Sequence, residues 1–69
     1  MEDFQISSGY RIRMIESLDD GTIYQGFSKR GEPLDSDNWQ IAKIYESGTI
    51  TSLSYARGSW NDRASLTYV

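Results

Sequence analysis

Nucleophilic catalysis needs a Ser or Cys activated by a base within hydrogen-bond reach, and the usual base is His. This chain has serines but neither His nor Cys. A Ser–Lys pair stays formally open, yet no spacing marks one. The stretch LDSDNW places Asp35 and Asp37 in alternation before Asn38, superficially like a cation loop. Trp39 stands where a third oxygen ligand is needed, and the glycine and distant glutamate of an EF-hand loop are missing. These acids read as turn residues leading into a strand. The glycines follow neither the dinucleotide fingerprint nor the phosphate loop. The expectation is a protein that is not an enzyme and uses no metal, cofactor or small-molecule substrate.

Three constellations remain, and all concern binding. Arg11 and Arg13 share one face of an alternating segment, where they would meet a phosphate, a carboxylate or acidic cross-strand neighbours. Two Trp, five Tyr and two Phe crowd a short chain. Aromatics are what a small β core needs for area, at roughly 150–250 Å² each. They also offer a stacking platform for bases or sugars, for which Tyr24, Trp39 and Tyr45 are the candidates. Asp62 and Arg63 are adjacent, so in a strand they point to opposite faces and each needs a partner elsewhere.

The elements that position these residues are short and evenly punctuated. Ser7-Ser8-Gly9, Asp19-Asp20-Gly21, Gly31 through Asn38, Ser47-Gly48 and Arg57-Gly58-Ser59 separate runs rich in Ile, Tyr, Thr and Trp. YRIRMIESL alternates with Tyr10, Ile12 and Met14 on one face and Arg11, Arg13 and Ile15 on the other. TIYQGFS follows across DDG, a hairpin signal, and Gly26 marks a bulge or sharp bend inside it. KRGEPLDSDN is the one long loop. WQIAKIYES, TITSLSYAR and WNDRASLTYV supply the remaining strands. No window has the helical spacing of apolar residues. The pattern predicts an all-β, single-domain antiparallel meander of about five strands, closed or half-closed into a barrel or a two-layer sandwich. Residues 1–8 read as an N-terminal arm and 9–69 as the β domain.

A chain of 69 residues without cysteine has no disulfide to reinforce a marginal core. Association with copies of itself or a partner is the expected route to stability, the alternative being an idealised monomer, since many domains of roughly 55–65 residues fold alone. Seven Lys and Arg against ten Asp and Glu give a net charge of −3, which argues against nucleic acid as the main partner. No apolar run approaches the ~20 residues that span a bilayer, and the opening MEDFQISSGY is acidic. The expectation is a soluble chain with no membrane partner and no secretory signal.

WQIAKI (Trp39 to Ile44), followed at short range by WNDRASLTY (Trp60 to Tyr68), resembles small proteins encoded among the structural genes of tailed bacteriophages. GYRIRMIES and TIYQGFS stand where that family's opening strands lie, so the resemblance spans most of the chain beyond Gly9. SYARGSW departs from the family pattern, with Tyr55 in place of a Trp and Arg57 in place of an Asp. The resemblance implies a virion structural protein assembled in the host bacterial cytoplasm. It would be an accessory or connecting module of tail, neck or head, such as a head-tail connector, or a fibre-anchoring domain. Its partners would be other virion proteins or copies of itself. Interface hot spots favour aromatics and arginine, which singles out Tyr10, Tyr55, Trp60 and Arg63. A terminal strand lying in the sheet or along a neighbour would explain the abrupt ending. The alternative is a small β-barrel that binds single-stranded nucleic acid or saccharide on the aromatic platform.

Overall fold

A computed structural model describes residues 5–69. Four strands follow one another in sequence and in space: β1 (Arg11–Ser17), β2 (Thr22–Ser28), β3 (Trp39–Ser47) and β4 (Ile50–Gly58). Each neighbouring pair is antiparallel, so the chain is an all-β meander in one open sheet. The hairpin turns form where acidic or serine residues meet glycine. Gly21 sits at φ +95°, and Asp20 Oδ1 accepts the Thr22 N–H at 2.9 Å beside it. A Cβ on Gly21 would also stand 2.5 Å from the Glu46 carbonyl oxygen, so both conformation and space require glycine there.

The sheet neither closes into a barrel nor stacks on a second sheet, and the segment expected as a fifth strand is different. It begins with a 3-10 helix over Trp60–Asp62 and continues through turns. Ser59 causes this. Its Oγ accepts the Asp62 N–H at 3.2 Å and donates to the Asp62 carboxylate at 2.8 Å. That cap winds the chain before a strand can start. Asp62 and Arg63 are therefore not disposed on opposite faces of a strand. Only the last residue returns to the sheet. Val69 and Tyr55 exchange backbone hydrogen bonds of 2.9 and 3.0 Å, bridging the free edge of β4.

A second difference lies in β1. Ile12 pairs with Phe27 and Met14 with Gly26, leaving Arg13 as the extra residue of a β-bulge. The bulge breaks strict alternation. Ile12 and Ile15 consequently share one face, and Met14 turns to the other.

Residues paired across an antiparallel ladder share a face, so the register defines two. One holds Met14, Tyr24, Trp39 and Ile41 and is covered by the C-terminal segment. Trp60 lies against Trp39 with ring centroids 6.1 Å apart, Tyr68 lies against Tyr24 at the same separation, and Leu66 reaches Gly58. The core is thus sheet on one side and the chain's own last ten residues on the other. The opposite face carries Ile12, Ile15, Ile23, Phe27, Ile44 and Leu53; among the described residues it is crossed at Gln40 by residues 5–7 and has no cover comparable to the C-terminal segment.

Candidate functional site

Arg63 fastens the C-terminal segment to the sheet. Its Nε and Nη2 donate to the two oxygens of Glu16 on β1 at 2.8 and 3.0 Å, a bidentate pair. Its Nη1 donates to the Trp60 carbonyl at 2.9 Å, and its guanidinium stands 4.5 Å over the Trp60 ring. The Tyr68 hydroxyl donates to the Arg63 carbonyl at 2.7 Å. One arginine therefore ties β1, the 3-10 helix and the chain end together.

Two substitutions measure that clamp. Arg63→Ala removes the stacking and the charge-assisted bonds, and Tm falls by roughly 5–10 °C for a domain of this size. Arg63→Lys keeps the charge without the planar fork, so thermal melts of the two variants should show that Lys recovers less than half of the loss.

The clamp also sets the pH range of stability. The hydrogen bond from Arg63 holds the Glu16 carboxyl below its ordinary value, with the Arg63 charge adding to the effect against partial burial. The Thr22 side chain, and then its N–H, do the same for Asp20. A lowered carboxyl stabilises the fold above its unfolded value, ~4, and that contribution is lost as pH falls through the folded value. Burial pushes the Tyr68 hydroxyl up to about 12. Its contribution is complete below ~10, the ordinary tyrosine value, and is lost as pH rises from there toward 12. Urea midpoints should therefore be flat between about pH 5 and 9 and fall on both sides. In Tyr68→Phe, the alkaline fall should flatten.

The candidate residues do not form one patch. Trp60, expected at an interface, is 3% exposed and packs in the chain's own core. Arg63 is half-buried and engaged as described. Tyr55 is half-buried on the open face, and Tyr10 is half-buried just before β1. The three aromatics of the expected platform do not share one exposed surface. Tyr24 and Trp39 are 5% and 0% exposed beneath the C-terminal cover, leaving Tyr45 alone at the surface. Trp39 spends its indole N–H on the Pro33 carbonyl at 2.8 Å, so that end is closed too.

Among the described residues Arg13 finds no acidic cross-strand partner. The bulge aims it at the Ser28 hydroxyl and the Lys29 and Glu32 carbonyls, at 3.0, 3.3 and 2.9 Å, with its guanidinium 5.2 Å over Trp39. Arg11 and Arg30 stay exposed and line a shallow depression with Gly9, Ile12 and Arg13. This corner is positive in an acidic chain. Asp19 and Asp20 occupy the opposite end of the β1–β2 hairpin.

Glu16, Gln40 and Tyr68 are the important residues that sequence reasoning missed. Gln40 is 1% exposed on the otherwise open face because the arm crosses it. Its Oε1 accepts the Ser7 N–H at 2.7 Å and its Nε2 donates to the Gln5 carbonyl at 3.1 Å. The described half of the expected arm is thus held on its own sheet, while residues 1–4 lie outside the described residues.

Large apolar side chains stay exposed on both faces, and on the covered face Ile50 at the far end of the β3–β4 hairpin is 65% exposed. Ile12 is 46% exposed, Ile15 63% and Leu53 56%, all on the open face. The acidic residues of the loop take turn positions, with the Ser36 N–H on the Pro33 carbonyl and the Asn38 N–H on Ser36 Oγ. Among the described residues, no three acidic side chains gather in a way that could hold a metal ion. Comparison with known protein families, with curated proteins and with solved structures finds no match.

Proposed function

We propose that the protein is a non-enzymatic structural module of a tailed-bacteriophage virion, acting by protein–protein assembly. The carrying observation is the asymmetry of the sheet. The chain's own C-terminal segment covers the core of one face, and the other leaves Ile12, Ile15 and Leu53 about half-exposed with no comparable segment over them. An exposed apolar sheet face is what an assembly partner covers, and a domain this small gains stability from being covered. The phage context comes from the resemblance of WQIAKI and WNDRASLTY; the tail, neck or head position is left to experiment.

The test follows the protein during particle assembly in the phage that encodes it. Wild-type protein and a Leu53→Lys variant are compared by quantitative mass spectrometry of gradient-purified particles. Leu53 is exposed, so the variant folds. Wild-type protein should appear at a fixed copy number, and the variant should be depleted about tenfold or more, because a lysine in an apolar contact costs more than the ~1.4 kcal/mol behind each factor of ten. Absence of the wild-type protein from particles would overturn the virion reading. Equal incorporation of both would show that this face is not the docking surface.

A further inference from the structure

We propose that β1 is a self-pairing edge: two copies of the chain join β1 to β1 in antiparallel fashion, about a twofold axis close to Ile15. The two edges of the sheet are not equivalent. The free edge of β4 is bridged by Val69 through Tyr55, whereas β1 has a strand on one side only among the described residues. An open edge presents a row of backbone donors and acceptors ready for another strand.

The charges along β1 select the occupant. The strand opens with Arg11 and Arg13 and runs toward Glu16, with Asp19 and Asp20 in the turn beyond it. Antiparallel pairing with an identical strand sets the basic start of each copy beside the acidic end of the other. Ile15 lies midway in sequence between Arg11 and Asp19, and at 63% it is the more exposed of the two isoleucines of β1. A twofold there brings two Ile15 side chains together on the open face and places each Arg11 near the partner copy's Asp19. The contact is isologous and closes on itself. The bulge at Arg13 and the two arginines would discourage an unrelated strand. They are compatible with a strand whose far end is acidic, which is how charge gives specificity more than raw affinity. Pairing two four-stranded sheets in this way yields one eight-stranded sheet and joins the two open apolar faces.

This inference deepens the assembly reading and rests on it, but the two fail separately. Absence from particles would remove the virion role and leave the pair. A monomer would remove the pair and leave docking on other virion proteins.

The test is sedimentation velocity of the full chain over a wide concentration range, with Arg11→Glu, Asp19→Arg and the double variant. Both residues are exposed, and neither side chain makes a hydrogen bond or ion pair to another described residue. Circular dichroism checks that each variant keeps the fold. Wild-type protein should show a monomer–dimer equilibrium that weakens with salt. Each single reversal should weaken dimerisation about tenfold, since like charges then face each other twice, and the double variant should recover to within about threefold. Two outcomes would overturn the proposal. One is a monomer at every concentration. The other is a dimer that ignores the charge reversals but dissociates in Leu53→Lys, which would indicate pairing through the sheet faces instead.

Discussion

Trp60→Ala should eliminate the cooperative unfolding transition and leave a chain with the spectroscopic signature of a largely unfolded protein. Trp60 is 3% exposed and forms the roof of the core over Trp39, its ring also carrying the Arg63 guanidinium. Truncating a buried Trp to Ala costs about 3–5 kcal/mol through lost transfer free energy and the cavity left behind. A domain of 69 residues has roughly 3–10 kcal/mol to lose. The core is too small to spread the damage, because its buried cluster is Tyr24, Trp39, Ile41 and Trp60. Trp60→Phe keeps part of the roof and should stay folded with a lowered midpoint. Near-ultraviolet circular dichroism and urea titration read both outcomes. An Ala variant with nearly unchanged stability would show that the C-terminal segment does not seal this face.

The second large effect is at Gly26. A Cβ there would stand 2.6 and 2.8 Å from two carbons of the Trp60 ring and 3.1 Å from Trp39. Both rings are buried, so neither can move aside at small cost. Overpacking of this kind costs about 1–3 kcal/mol for a methyl and more for a branched side chain. Gly26→Ala should lower the urea midpoint clearly, and Gly26→Val should prevent folding. The backbone argues the other way, since replacing glycine in a strand normally helps. The sign of the Gly26→Ala effect therefore decides between packing and propensity. Gly58 is the control. The nearest contact of its added Cβ would be the tip of Leu66 at 2.6 Å, the end of a flexible, half-buried side chain. Gly58→Ala should cost less than Gly26→Ala.

These two positions also show what was legible in the sequence. The strands, the DDG and SG turns and the long loop follow from alternation and from glycine placement, and Gly26 stands out as a break in TIYQGFS. The reason for the break was not visible, because it lies in two tryptophans distant in sequence. The bulge at Arg13 was hidden for a related cause. YRIRMIESL alternates well enough to be read as regular, and the extra residue shows only in its register with β2. The last segment misled most. ASLTY alternates like a strand, yet Ser59-x-x-Asp62 ahead of it has the spacing of a helix cap, and the cap won. That signal was present and outweighed by the alternation. Whether an aromatic is core or platform depends on which face is covered. Trp39 and Tyr24 therefore became readable only once Trp60–Val69 was seen to lie over them.

The sheet also explains why the arm is fixed by a side chain. Gln40 offers both ends of its side-chain amide to a passing backbone, so Gln5 and Ser7 are held without adding a strand. Together with Val69 on β4, both described ends of the chain are bound back to the sheet. Among the described residues, the apolar face around Ile12, Ile15 and Leu53 and the outer edge of β1 stay open, and these are the surfaces the proposed association uses.

Native mass spectrometry of the full chain across a wide concentration range tests most directly whether copies of the chain complete this surface. The account predicts a discrete even-numbered species that grows with concentration at the expense of the monomer. A monomer that persists unchanged to the highest concentration would contradict it.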